Sequence, residues 1–261
     1  MRVPAVVAAA LGLLLLLTPP AFAHAGGLTP QNQLSRVVSI EPPLAGVTAR
    51  MVNHGSQLEV HNGGTTALQV NDLVVQPGET LRFRDERTSQ SEWQVPVGTS
   101  VVKGVVENFP PPNVWLWLGV LVALSLGGIG LARSRTLLAA GVVVVALAHV
   151  VHAVGSTLAV TGGSFVPLFL GASGVGVVCW PLAVVAVVAA VRRKAAAAFV
   201  AAVVGAMLVV AGIPDFDSFR FAQLPFAGPA VVDRLLVALT LGGGVALAVG
   251  GFLRMREELA R

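Results

Sequence analysis

His149 and His152 lie three residues apart inside one long apolar run, and this is where the sequence first offers chemistry. On a helix they share a face, and an ionisable residue inside a membrane segment is costly enough to mark a site by default. Counted along the run, both fall in its outer half. Two neutral imidazoles at this spacing could ligate copper, zinc or haem iron, or pass protons. The plain alternative is that His152 reaches the headgroups while His149 bonds to a neighbouring helix. Asp215 and Asp217, with Arg220 close by, sit just beyond a later apolar segment. They could join the histidines as an outward-facing cluster, or be an ordinary solvated loop.

A second donor set depends on processing. Met1-Arg2, the apolar stretch from Ala5 to Leu17 and Ala21-Phe22-Ala23 have the order of a cleaved signal peptide. The apolar stretch is too short to span about 30 Å of hydrocarbon. Cleavage after Ala23 would expose His24, whose α-amine and ring Nδ1 chelate one metal in a manner suited to Cu(II). His54 in a turn, or His61 on the polar face of a strand, would add a third nitrogen. The candidate metal ligands are therefore His24, His54, His61, His149 and His152, with copper as the cofactor and no catalytic residue.

Other chemistries are excluded. The single cysteine, Cys179, stands in mid-segment, so no disulfide, thiolate cluster or blue-copper site can form within one chain. There is no Gly-x-Ser-x-Gly, His-Glu-x-x-His or Walker motif. The run Gly171 to Gly176 has no following Lys-Ser/Thr and lies in hydrocarbon, so it predicts a kink, with Pro167 and Pro181, and not a phosphate loop.

The elements that must position these residues belong to a membrane protein. Of 261 residues, 55% are hydrophobic and 11% charged, and the mean hydropathy is +0.80. From His24 to Pro112 there are six basic and eight acidic residues; from Asn113 onward there are ten and five. The basic excess thus follows topology, and no basic, aromatic-interleaved face points to nucleic acid. The fold class read here is an exported all-β sandwich domain followed by an all-α transmembrane bundle of about five helices. Its divisions are a signal peptide (1–23), a β-domain (24–109), a stiff Pro linker (110–112), a helical domain (113–253) and a tail (254–261).

Alternation predicts about seven strands: Leu34-Ile40, Val47-Val52, Gln57-Asn62, Ala67-Val75, Thr80-Arg84, Glu92-Val97 and Val101-Glu107. Residues 85–90 read as a solvated loop. The apolar segments are Val114-Ala132, Leu137-Gly155, Val166-Val191, Ala195-Ile213 and Val231-Leu253. Eight basic residues, at 133, 135, 192–194, 254, 256 and 261, lie on one side, whereas the opposite loops carry Arg220 and Arg234 with Asp215, Asp217 and Asp233. The positive-inside rule puts that basic side in the cytoplasm and the β-domain outside. Small residues at 238, 242, 246 and 250, and at 198, 202 and 206, predict close helix packing. The aromatics of 214–229, with Trp115 and Trp117, predict an interfacial belt.

His24-Ala25 and the later Ser39-Ile40-Glu41-Pro42-Pro43-Leu44-Ala45-Gly46, leading into strands, resemble the start of the periplasmic copper-resistance β-sandwich proteins, over about 25 residues. The resemblance implies a copper site beginning at the mature N-terminus; the family's Asp-x-His ligands have no counterpart here. Val74 to Phe83 looks like a cupredoxin hairpin. From His24 to the last helix the layout is similar to that of actinobacterial envelope proteins with a secreted β-domain ahead of membrane helices, which implies location.

These observations predict a plasma-membrane protein with a non-enzymatic binding or accessory role, handling copper at the outer face. The alternatives are a metal-free structural or assembly protein of the envelope and a membrane oxidoreductase subunit holding haem. Its partners would be the lipid bilayer and an envelope protein or a second copy of the chain.

Overall fold

Short alternating runs broken by Gly, Asn and Pro can bury one face only by stacking sheets, and this chain does so before its first long apolar helix. The computed structural model describes residues 25–260; the expected signal peptide and His24 lie outside them. Eight strands form two antiparallel sheets: β1 (Gln33–Glu41), β2 (Val47–Val52), β3 (Gln57–Asn62), β4 (Leu68–Val70), β5 (Leu73–Val75), β6 (Thr80–Phe83), β7 (Glu92–Val97) and β8 (Ser100–Asn108). Their orders are β1-β8-β7-β4-β5 and β2-β3-β6. Inward residues of both sheets, Leu58, Val60, Val70, Trp93, Val95 and Val102 among them, share one core. Trp93 fits because its cross-strand neighbour is Gly104, where a Cβ would stand 2.0 Å from the indole.

Three expectations here are corrected. The run Ala67-Val75 is two strands and not one, because Asn71 takes a left-handed turn (φ 51°) that side-chain amides tolerate. Val74 to Phe83 is no hairpin: β5 pairs with β4, and β6 pairs with β3 in the other sheet. The stretch after Phe83 is no open loop. Asp85 caps a single 3₁₀ turn (Glu86–Ser89), accepting from Arg87 N and, at 2.8 Å, from Arg87 Nε.

After the extended prolines, Asn113 caps α1 (Val114–Leu131) by accepting from Leu116 N. Then come α2 (Arg135–Leu158), α3 (Phe165–Ser173), α4 (Gly176–Val191), α5 (Ala196–Gly212), a 3₁₀ stretch (Ile213–Phe219) and α6 (Ala230–Leu259). Four of these spans are long and apolar enough to cross a membrane, and α3 with α4, bent by 75°, makes a fifth if counted as one. This is a multi-pass membrane protein. The bend falls in the expected glycine run, at Gly174 (φ 46°, ψ −120°). The helix α6 runs on through the expected tail to Leu259.

The small-residue stripes are the packing surfaces. A Cβ on Gly242 would meet Leu121 O of α1 at 2.8 Å, and one on Gly251 would meet Ala198 O of α5 at 2.8 Å. At the end of the bundle away from the sheets, Glu258 binds Arg135 (2.8 Å) and Arg254 (3.1 Å). At the other end the sheets are docked. Thr161 N donates to Asn53 Oδ1 at 2.6 Å, and Gln31 and Gln223 exchange backbone hydrogen bonds at 3.0 and 2.9 Å.

Candidate functional site

The polar residues that matter come from three elements at the docked end. The helix α2 brings His149 and His152 to one inward face, both buried. In the 3₁₀ stretch residues three apart eclipse one another, so Asp215 and Ser218 point inward together. Asp217, out of phase, is half-exposed and pairs with Arg220 at 3.5 Å. The first turns of α6 add Asp233 and Arg234, both buried.

His152 stands between two carboxylates. Its Nδ1 is 2.8 Å from Asp233 Oδ1 and its Nε2 is 3.3 Å from Asp215 Oδ1. The Ser218 hydroxyl donates to the other oxygen of Asp233 at 2.8 Å. Arg234 donates from Nε to Ser218 O at 2.9 Å and from its terminal nitrogen to Phe221 O at 2.8 Å. A ring protonated at both nitrogens donates to both carboxylates, and a singly protonated ring donates to one, so the trio can hold a proton and pass it across the imidazole. It is not a nucleophilic triad, because the serine hydroxyl binds the aspartate and not the imidazole.

Aromatic rings close the site. Phe226 stacks on His152 at 6.3 Å and 12°, and it reaches there because Gly155 has no side chain: a Cβ would stand 2.0 Å from Phe226 Cε2. Ser156 donates to Pro225 O at 3.2 Å, and Ala227 N to Gly155 O at 2.9 Å. Phe219 is fully buried and stacks on Trp117 at 5.9 Å. The expected aromatic belt is thus corrected in part. Trp115 is 81% exposed on the outside of the bundle and Phe216 36%, but Trp117 and Phe219 are core, and Phe226 turns onto His152.

The four described histidines go to separate partners. His149 Nδ1 accepts from Trp180 Nε1 at 3.2 Å. His54 lies in the β2–β3 turn against the backbone of Gln223, and burial pushes its pKa below the ordinary imidazole value, partly offset by that backbone. His61 shares a hydrogen bond with Thr80 Oγ1 at 3.0 Å. His54 and His61 are at opposite ends of β3, at least about 13 Å apart along the strand. Among the described residues no group of three His, Cys, Asp or Glu has a geometry that could hold a metal ion. His24, the first of the expected copper ligands, lies outside the described residues, and His149 and His152 share one helix.

Asp233, Arg234, Ser218 and Trp180 went unrecognised in the sequence. The first two carried a usable signal, being charges on the first turns of an apolar helix, where an ionisable residue needs a partner. Compared with known proteins, the chain matches no family model, no curated protein and no solved structure.

Proposed function

We propose that this is a non-enzymatic accessory protein of the plasma membrane that holds its β-sheet region, fixed in orientation, at the outer face for an envelope protein to engage. The observation that carries the reading is where the buried charges are used. The cluster of His152, Asp215, Asp233 and Arg234 pins residues 213–229, and this segment grips the sheets: Gln223 pairs with Gln31, Ala222 N donates to Asn32 Oδ1 at 2.8 Å, and Gln223 backs His54. The costliest charges in the chain thus fasten one region to the other. The expected signal peptide and the basic residues around Arg135, Arg193 and Arg254 favour an outside β-region.

The test is labelling of intact cells with a membrane-impermeant maleimide, in a Cys179→Ser background carrying either Ser91→Cys or Arg256→Cys. The expected result is labelling of Ser91→Cys in intact cells and of Arg256→Cys only after lysis; the reverse overturns the proposal. A Cu(II) titration of the chain beginning at His24, against the same chain with one added glycine ahead of it, tests the competing reading. Saturable binding that the extra glycine abolishes would replace display with copper handling.

A further inference from the structure

Along one side the two sheets do not close. Among the described residues β1 pairs only with β8 and β2 only with β3, so each presents a backbone edge with no strand beside it there. The two free edges face one another across a cleft of about 550 Å³, lined by residues 34–40 of β1 and 48–51 of β2. Alternation directs Val37, Ile40, Ala49 and Met51 at the core, and all four pack on it, yet they are only half-buried, whereas Val60 and Val102 deeper in the same core are fully buried. The Oγ of Ser35, also lining the cleft, is buried without a hydrogen-bond partner. The register of β1 shifts between Val37 and Ser39 and leaves Val38 58% exposed. The edge of β1 is thus open beside a core that is only partly covered.

We propose that this cleft binds an extended segment of a partner protein, added as a strand to the free edge of β1. Backbone hydrogen bonds would supply affinity, and alternate apolar side chains set onto Val37, Ile40, Ala49 and Met51 would supply selectivity. The rim selects the charge of the segment. Arg36 and Arg50 flank the cleft with side chains 58% and 69% exposed; they pair with Glu107 and Glu59, and each guanidinium has five N–H donors, more than one carboxylate uses. The matching segment therefore alternates apolar residues facing inward with acidic residues facing the rim.

This deepens the display reading by naming the kind of partner, and it is tested separately from orientation. The full chain in lipid nanodiscs is titrated with a labelled nine-residue peptide of alternating Val and Glu. Controls are alternating Val and Lys, and a peptide with the Val and Glu residues in two blocks. The expected result is saturable binding of the Val-Glu peptide, at least tenfold weaker binding of both controls, and new amide-exchange protection in residues 34–40. The double variant Arg36→Glu/Arg50→Glu is expected to prefer the Val-Lys peptide; should that variant misfold, the wild-type exchange data still decide. Absence of saturable binding, equal binding of the block peptide, or protection outside the cleft overturns the proposal. So does self-association of the chain that protects 34–40 before peptide is added. Such a failure leaves the display reading standing, since impermeant labelling tests that independently.

Discussion

Asp233 in the helical bundle and Glu59 on the three-stranded sheet each accept from two donors, and they differ in where those donors lead. Asp233, 1% exposed, binds the His152 ring and the Ser218 hydroxyl, and both of these are buried as well. Glu59 binds Arg50 Nε and Arg82 Nε, each at 2.6 Å, but those side chains extend into solvent. Glu59 is itself 6% exposed, but a guanidinium that loses it meets water at once. Around Asp233 no such replacement is at hand, so the imidazole and the hydroxyl would be stranded together. Similar bonding arithmetic therefore carries different stakes in the two regions.

The sharpest way to break this comparison is Asp233→Ala. Removing one member of a buried charged set costs about 3–5 kcal/mol, and here it also frees the segment 213–229 that grips the sheets. The expected outcome is a large fall in melting temperature in detergent together with rapid proteolysis at Arg220, which is exposed already and would now lie in a freed segment. A loss below about 1 kcal/mol would put the cluster on a par with a surface ion pair and end the argument. Next in size is Gly155→Ala. The new Cβ, 2.0 Å from Phe226 Cε2, must push the ring off His152, and overpacking of this kind costs about 1–3 kcal/mol. Differential scanning fluorimetry checks it, and an unchanged melting temperature would mean that Phe226 does not hold the segment down.

Why one of these regions was legible and the other was not follows from the range of the forces. Val47–Val52 and Gln57–Asn62 have the expected ends because period-two alternation and an Asn-His-Gly turn are local signals. The bend at Gly174 was legible for the same reason. Which of Asp215 and Asp217 turns inward depends on the phase of a 3₁₀ stretch, which no apolar periodicity records. Asp233 and Arg234, read as loop charges, are helical, and their partners sit 81 residues back, at His152, and 16 back, at Ser218. The cleft beside β1 was invisible because sheet membership is set by long-range pairing: Val74 and Phe83 look like one hairpin and lie in different sheets.

On the sheet side the comparison is sharpened by acid. The Arg82 and Arg50 guanidiniums hold the Glu59 carboxyl below the usual carboxylate range, and Arg87 does the same for Asp85. Both contribute stability above about pH 4 and lose it as pH falls through their depressed folded values. His54, depressed by burial, acts in the same direction at higher pH. The unfolded chain takes up its proton below about 6.5 while the folded chain does not, so stability falls from there. The expectation is progressive loss of amide protection in residues 57–62 from pH 7 to pH 3. Glu59→Gln, costing about 1–2 kcal/mol at neutral pH, should flatten the lower step and leave the upper one. Protection that rises on acidification would reverse the sign and refute this account.

The smallest effect belongs to the far end of the bundle, where Glu258 also meets two donors. Arg135 and Arg254 reach it at 2.8 and 3.1 Å, yet Arg135 also donates to Arg193 O at 3.2 Å, and Arg254 to Arg133 O. Both cations keep a partner when the carboxylate is gone, and the group is in reach of water. Glu258→Ala should therefore cost less than about 1 kcal/mol. That cost should shrink further as the screening length falls from about 10 Å at 0.1 M salt to about 3 Å at 1 M. Asp233→Ala should show the same deficit at both salt concentrations, because ions do not enter its site. Melting curves of the two variants at the two concentrations form one experiment. A salt-independent Glu258 deficit as large as that of Asp233 would show that burial is not what separates the regions.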